Sequence, residues 1–406
     1  MKTNEYRVPD FHHLTPATEI RARIDRARTF MRDQGLDALL IVYLIDLFYL
    51  TGTMQDCHLL LPSKGPPLLM VRRELSRAKS ESAIEDVVGL KGFGPLTTLV
   101  NARLGAEPQR LGLELDVLPV NRFRRYQSLW PSAELVDISP MILNLRSIKS
   151  DFEVDCLRRA GELAQKVYAK VPGLLRPGGT EIELADMITR EASQGGHQNY
   201  LRTRVFNQEV FSWHVISGAS GGVVSSINAP FGGYGLSPSF PVGASRKVIR
   251  PGEPVLIDFG ICLDGYQVDL TRMFSIGPSP AIVKDAYQAL SLIEAELLQN
   301  LYPGITCGRL FDIAENKAEQ LGFGEAFLGV PGFKVRFVGH GVGLELSEPP
   351  FLSYGNDAYL QEGMTVALEL KMVFPGIGAV GLENTVLVTT TGPEKLTLAS
   401  EEFIEV

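Results

Sequence analysis

The stretch VLIDFGICLDGYQVDLTRMF, residues 255–274, consists of two apolar segments joined by the Asp-Gly pair at 264–265. Asp-Gly between two such segments is a strong short-range signal for a β-hairpin with a two-residue turn. With that turn, Asp258 lies opposite Thr271, and Asp269 becomes its diagonal neighbour on the same face, within about 8 Å. The stretch therefore predicts two carboxylates close together in a hairpin whose first strand is buried.

A second hairpin is predicted further along the chain. The segments TVALELKMVF (365–374) and GAVGLENTVLVTT (378–390) flank a Pro-Gly pair, and a three-residue loop centred on Gly376 sets Glu369 opposite Glu383. Both glutamates are flanked by apolar residues. The two hairpins together thus offer four carboxylates in apolar, β-rich sequence.

A single histidine, His340, lies between the hairpins in FVGHGVGLELSEPP (337–350), among glycines that let the backbone approach another group closely. Buried ionised carboxylates cost several kcal/mol each unless they are paired or bound to a cation. Four carboxylates and one imidazole suit two divalent ions about 3.5–4 Å apart, either oxygen-preferring Mn²⁺ or Mg²⁺, or Zn²⁺, Co²⁺ or Fe²⁺ with mixed ligands.

Each carboxylate taken alone has a simpler explanation. Asp258 could lie on an exposed edge, Asp269 could cap a turn, and the glutamates could form ion pairs with Lys371 or Arg272. These explanations become less favourable when all four carboxylates are considered together with the histidine.

An internal repeat organises the second half of the chain. PGGTEIELADMITREASQGG (177–196) aligns without gaps on PGITCGRLFDIAENKAEQLG (303–322), with the same residue at eight positions. Each copy follows a long amphipathic helix and precedes strand-like sequence. A duplicated helix–strand unit predicts a pseudo-two-fold axis, and sites often lie between such halves.

The first half of the chain alternates apolar strand-like segments (37–43, 58–62 and 67–72) with helical ones, which indicates an α/β domain. The apolar run LLIVYLIDLFYL (39–50) is too short to span a membrane and is predicted as a buried strand and its continuation. A long helix with a Ser-x-x-Glu capping box opens near residue 150. We therefore expect domains at 1–148 and 149–406.

Composition narrows the possible partners and location. The 406 residues carry a net charge of −8, and no long Lys/Arg run is present, which argues against nucleic acid or an anionic membrane as the main partner. The N-terminal residues lack the apolar core of a signal peptide. The four cysteines have no zinc or disulfide spacing, so we expect buried free thiols in a cytoplasmic protein.

The succession DFGICLDGYQVDLTR, GHGVGLE, ALELK and GLENTVLVT resembles the metal-binding signature of the pita-bread metallopeptidases, family M24, which include methionine aminopeptidase, aminopeptidase P, prolidase and creatinase. GLDALLIVYLIDLFYLTG (35–52) is similar to the N-terminal domain of the creatinase/prolidase branch. The resemblance implies an α/β creatinase-like N-terminal domain and an α+β pita-bread C-terminal domain with a pseudo-two-fold repeat. It also implies a homodimer in which the N-terminal domain lies near the partner's cleft.

The resemblance further implies a ligand set for two divalent metal ions (Mn, Co, Zn or Fe). Glu369 would in addition accept the proton of the attacking water. The implied ligands are Asp258, Asp269, His340, Glu369 and Glu383.

The sequence departs from the family pattern at the auxiliary histidines, which in the peptidases position the scissile amide and stabilise the tetrahedral intermediate. Serines, Ser225 and Ser347, stand at both positions, and Gly381 replaces an expected arginine. A serine hydroxyl can donate a hydrogen bond but has no pKa near 7. The segment INAPFGGYGLSPSFPVGASRKV (227–248) is extra sequence, predicted to form a loop over the site.

Four residues are candidate substrate contacts: His214, Ser225, Tyr234 and Ser347. His214 is the nearest replacement for a missing imidazole, although a histidine satisfied within a sheet remains an alternative. Packing within the loop is likewise an alternative for Tyr234.

We expect a metal-dependent hydrolase acting on a small amide or an Xaa-Pro-like peptide. Changed chemistry on the same scaffold, such as a lyase or a creatinase-like amidinohydrolase, is one alternative. A non-catalytic binding module is another, but it predicts eroded metal ligands, and here all five are present.

Overall fold

The computed structural model describes residues 6–208 and 213–406, with Trp213 described by its backbone alone. It divides into two compact units, Met1–Arg146 and Ser147–Val406. The predicted boundary at 148/149 lies two residues further along the chain.

The N-terminal unit is built on a six-stranded mixed sheet of order β4-β3-β2-β1-β5-β6, in which β1 pairs antiparallel with β2 and parallel with β5. Its elements in chain order are α1 (Ala17–Asp33), β1 (Ala38–Ile41), α2 (Leu44–Thr51), β2 (Cys57–Pro62), β3 (Leu68–Val71), α3 (Leu75–Glu81), β4 (Val87–Gly89), α4 (Gly94–Leu104), β5 (Arg110–Leu113), α5 (Val120–Leu129), β6 (Glu134–Asp137) and α6 (Ser139–Ser147).

The apolar run at 39–50 differs from the prediction. Its first residues form β1, but its second half is the helix α2, which ends where Gly52 adopts a left-handed conformation with φ of +78°. A short buried helix and a buried strand have the same all-apolar composition, so the run alone does not distinguish them.

The C-terminal unit contains five helices and a short 3₁₀ turn at Gly218–Gly222 within its described residues. Its elements are α7 (Asp151–Tyr168), α8 (Val171–Leu174), α9 (Glu181–Gln194), β7 (Trp213–Ser217), β8 (Pro254–Phe259), β9 (Ile261–Leu263), β10 (Tyr266–Val268), β11 (Thr271–Ser275), α10 (Ala281–Asn300), α11 (Cys307–Gln320), β12 (Phe337–Gly341), β13 (Glu348–Ser353), β14 (Thr365–Phe374), β15 (Gly378–Leu387), β16 (Glu394–Lys395) and β17 (Ile404–Glu405).

The predicted repeat is confirmed. The helices α9 and α11 begin and end at equivalent positions of the two copies, and each has a threonine N-cap, Thr180 or Thr306. The main sheet runs β13-β12-β14-β15-β11-β8-β7, so β12-β14-β15 from one half mirrors β7-β8-β11 from the other. The two halves meet where β11 pairs with β15.

Both hairpins also have the predicted register. Asp264 and Gly265 both have positive φ, as a type I′ turn requires, and Thr271 pairs with Asp258. The hairpin splits between two sheets, because its tip forms the separate β9–β10 pair. In the second hairpin, Glu369 pairs with Glu383.

The carboxylate of Glu181 connects the start of α9 to the end of β7 through hydrogen bonds. It is fully buried and accepts hydrogen bonds from the backbone N–H and hydroxyl of Ser217, from the hydroxyl of Ser220, and from the N–H and hydroxyl of Ser245, at 2.5–3.0 Å. Because five donors converge on one side chain, this contact fixes the strand that carries His214.

All four cysteines are buried and free. Among the described helices, none combines the length and apolar character that crossing a membrane requires.

Candidate metal centre

Strand pairing brings four of the five predicted ligands to one face of the main sheet. Thr271 at the start of β11 pairs with Asp258 on one side and with Glu383 on the other, and Glu383 in turn pairs with Glu369. His340 on β12 pairs with Ala367, two residues before Glu369. Residues far apart in sequence therefore occupy adjacent register positions.

The ligand atoms form two overlapping groups. One atom each of Asp269, His340 and Glu383 lie within 4.8 Å of one another, and so do one atom each of Asp258, Glu369 and Glu383. Glu383 belongs to both groups. The five predicted ligands thus converge on one place.

Backbone contacts orient two of the ligands. Asp269 Oδ1 accepts a hydrogen bond from its neighbour Leu270 N at 3.1 Å, and Thr385 Oγ1 bonds both backbone groups of Asp269. His340 Nδ1 lies 3.1 Å from the carbonyl oxygen of Gly341. Because a carbonyl can only accept, Nδ1 carries the proton and Nε2 is left as a metal-binding lone pair.

The carboxylates of the cluster carry more negative charge than the neighbouring side chains neutralise. Burial, reinforced by Glu383, Asp258 and Glu369, raises the pKa of Asp269 well above its usual range. Burial also raises the pKa of Glu369 to about 8, although Lys371 opposes the shift. Within the described residues, Glu383 Oε1 is buried without a hydrogen-bond partner. A set of oxygen donors plus one imidazole, with an orphaned buried carboxylate oxygen, fits a divalent cation.

A lysine not predicted as a site residue completes the cluster. Lys371 is fully buried, and its Nζ lies 2.6 Å from Thr271 Oγ1, 2.7 Å from Glu383 Oε2 and 3.3 Å from Asp258 Oδ2. Burial acts against its charge, but Asp258, Glu383 and Glu369 raise the pKa of Lys371 well above its usual value. Lys371 follows Glu369 by two residues on a strand, so the two side chains lie on the same face of the sheet. This spacing is the sequence signal that could have placed Lys371 in the site.

Gly381 makes the room for this lysine. Gly381 faces Lys371 across the β14–β15 pair, and a Cβ placed on it would lie 2.8 Å from Lys371 Cδ. The simpler explanation of the glutamates is therefore partly correct, since Glu383 does pair with Lys371. Arg272 instead donates to the backbone carbonyl of Glu383.

A cavity of about 640 Å³ opens onto the cluster. Its lining includes Asp258, Asp269, His340 and Glu369 together with His214, Asn228, Arg336, Ser347 and Phe351. The volume is in the range of small-molecule sites.

The candidate substrate contacts are placed differently from one another. His214 on β7 pairs with Asp258 and packs its ring against Phe231, with centroids 5.6 Å apart. Burial lowers the pKa of His214, although Asp258 acts to raise it. Ser347 also lines the cavity.

Ser225 and Tyr234 are not among the described residues that line the cavity. Ser225 Oγ accepts a hydrogen bond from Ile227 N at 3.2 Å, and Tyr234 is 51% exposed. The inserted segment still reaches the cavity through Ile227, Asn228 and Ala229.

Known proteins are similar to this chain over nearly its whole length. Probable dipeptidase PepE of Mycobacterium tuberculosis is 29% identical over 95% of this chain and 96% of its own length. The Xaa-Pro dipeptidase of Pyrococcus horikoshii is 27% identical, covering 94% and 98%. The solved Xaa-Pro dipeptidase from Bacillus anthracis superimposes with a TM-score of 0.81 at 25% identity, covering 95% of this chain and 100% of that one.

Two family models match the chain in order. The Creatinase/Prolidase N-terminal domain matches residues 23–148, and Metallopeptidase family M24 matches residues 155–390. The predicted pair of folds, a creatinase-like unit followed by a pita-bread unit, is confirmed. The chain therefore belongs to metallopeptidase family M24 and is a metallohydrolase.

Proposed function

We propose that this protein hydrolyses short peptides or small amides, with Xaa-Pro-like bonds as the first substrates to test. The observation that carries the proposal is the convergence of Asp258, Asp269, His340, Glu369 and Glu383, the first four of which line one cavity. The relatives named dipeptidase or Xaa-Pro dipeptidase support the choice of substrate.

The five converging residues are the proposed metal ligands, and the ion would be Mn²⁺, Co²⁺, Zn²⁺ or Fe²⁺. The donor set is large enough for two ions, and Lys371 is the feature of the site that works against the second. A bound divalent ion would lower the pKa of water and polarise a substrate carbonyl.

Side chains of the cavity are proposed to accept a proton and to contact the substrate. Glu369, whose Oε2 lies 3.9 Å from His340 Nε2, is the proposed proton acceptor for the attacking water. The proposed polar contacts for the substrate amide are His214 and Ser347, since both side chains border the cavity.

The serines at 225 and 347 support a weakened activity on ordinary dipeptides. Loss of one hydrogen-bond donor to a tetrahedral intermediate commonly costs about 10²–10³ in rate. We therefore propose slow turnover of Xaa-Pro dipeptides, below the enzymatic median of about 10 s⁻¹. Lys371 partly neutralises carboxylates that a two-ion peptidase centre would use, so the second candidate is changed chemistry on the same scaffold, such as a creatinase-like amidinohydrolase.

The decisive experiment strips the purified protein with a chelator, restores Mn²⁺, Co²⁺, Zn²⁺ or Fe²⁺, and measures turnover of Xaa-Pro dipeptides, other dipeptides and small amides. Asp269→Asn should abolish the metal-restored activity. Glu296→Gln is the matched control, because Glu296 pairs with Lys317 away from the cavity. Activity that survives metal removal or the Asp269 change would refute the proposal.

Assembly and location remain predictions. The homodimer rests on the family resemblance and is tested by light scattering at micromolar concentration. The cytoplasmic location rests on the four free cysteines and is tested by cell fractionation.

A further inference from the structure

We infer that Lys371 takes the place of one of the two cations of the cluster, so that the centre binds a single divalent ion between Asp269, His340 and Glu383. The inference rests on the proposed function in one respect, that these residues form a metal site. It differs from the two-ion prediction made from the donor count.

The ammonium of Lys371 lies where a second ion would be expected to bind. Lys371 Nζ lies among the three residues of the second ligand group, at 2.7 Å from Glu383 Oε2, 3.3 Å from Asp258 Oδ2 and 3.9 Å from Glu369 Oε1. A second ion bound by these residues would lie beside a permanent positive charge. The ammonium thus supplies the counter-charge where that ion would bind.

The two oxygens of Glu383 have different surroundings. Oε2 accepts from Lys371 Nζ and, at 2.7 Å, from the hydroxyl of Thr271. Oε1 is the buried oxygen that lacks a hydrogen-bond partner among the described residues. One oxygen of the shared carboxylate is therefore taken by protein donors, and the other is left for one metal ion.

The lysine is enclosed, so it has no easy route out of the cluster. Its side chain has no exposed surface, passes over Gly381 and places Nζ 5.9 Å from the ring centroid of Phe231. Withdrawing the ammonium would bury it without its carboxylate partners, which is strongly unfavourable.

The remaining ligand set is sufficient for one ion. Asp269 and Glu383 each offer one carboxylate oxygen and His340 offers one ring nitrogen, and these atoms lie within 4.8 Å of one another. Three protein ligands with open positions facing a cavity is the arrangement of catalytic zinc sites. Asp258 and Glu369 then serve as partners of Lys371, and Glu369 keeps its proposed role as proton acceptor.

The test counts metal ions in the folded protein, independently of activity. Wild type, Lys371→Met, Lys371→Arg and the control Lys395→Met are stripped, titrated with Mn²⁺ by calorimetry, and analysed for metal after dialysis. Lys395 pairs with Glu294 and Glu401 away from the cavity, so this control removes a paired lysine charge elsewhere in the same unit. Electron paramagnetic resonance then distinguishes isolated from exchange-coupled Mn²⁺.

We expect one ion per chain with an uncoupled Mn²⁺ spectrum for wild type, Lys371→Arg and Lys395→Met, and two coupled ions for Lys371→Met. Two ions in the wild type would overturn the inference, and this measurement holds even if Lys371→Met fails to fold. One ion in a folded Lys371→Met protein would also overturn it. Absence of any bound ion in all four proteins would instead refute the proposed metal site.

Discussion

Replacing Lys371 by methionine should destabilise the metal-free protein strongly. At an effective dielectric constant of about 20, charges at 2.7, 3.3 and 3.9 Å attract by about 6, 5 and 4 kcal/mol before the cost of burial is subtracted. Breaking a buried ion pair by removing one partner typically costs about 3–5 kcal/mol net. We expect that loss in the free energy of unfolding in the presence of a chelator.

Metal should then rescue the variant more than the wild type. An ion at 100 times its dissociation constant adds about 2.7 kcal/mol of stability, so two ions add about 5 kcal/mol to Lys371→Met and one adds about 2.7 kcal/mol to wild type. The assay is guanidinium unfolding followed by circular dichroism, with chelator or with Mn²⁺. Lys395→Met, whose lysine is partly exposed, should lose about 1 kcal/mol or less.

Two results would refute the reasoning. A loss below about 1 kcal/mol in chelator would mean that the carboxylates do not depend on the ammonium for stability. An equal Mn²⁺ response in wild type and variant would mean that Lys371 does not compete with an ion.

Three further predictions concern other parts of the molecule. Glu369→Gln should lower kcat by about 10²–10⁴ while leaving one ion bound, as kinetics and metal analysis would show; unchanged kcat would remove Glu369 as the proton acceptor. His58 is buried, and burial lowers its pKa from 6.5 to about 4, so its protonation does not affect stability above pH 6.5, and about 3 kcal/mol of stability is lost as the pH falls from 6.5 to about 4. His58→Gln should flatten that loss in unfolding curves at pH 4.5 and 7.5, and an unchanged slope would contradict the assignment. Glu181→Gln should lower stability by about 3 kcal/mol, because an amide N–H₂ would face serine donors; a conservative Glu181→Asp that is equally damaging would point to side-chain length instead.

The parts of the fold that were predicted correctly depend on local signals. The Asp-Gly turn fixes the register that places Asp258 opposite Thr271, and the loop at Gly376 fixes the pairing of Glu369 with Glu383. These are short-range rules, so the strand partners follow from the turn alone.

The parts that were missed depend on tertiary contacts. The helix α2 was missed because the run at 39–50, apolar apart from Asp46, has no clear helical or strand period. The sequence predicts Lys371 only as an ion-pair partner of single glutamates, whereas its place among three carboxylates depends on Gly381, which faces it across the sheet. His214 pairs with Asp258 through two strands separated by a long loop, and no turn signal sets that register.

The pairing of β11 with β15 is delayed while the protein is being synthesised. Thr271 and Glu383 are 112 positions apart. At a synthesis rate of about 5–20 residues per second, β15 leaves the ribosome about 6–20 seconds after β11. During that interval β11 is an unpaired edge, and edges of this kind recruit other strands. Charges near such an edge discourage pairing with a foreign chain. We therefore expect Asp269, two residues before Thr271, to discourage foreign pairing at this edge before it has any ion to bind.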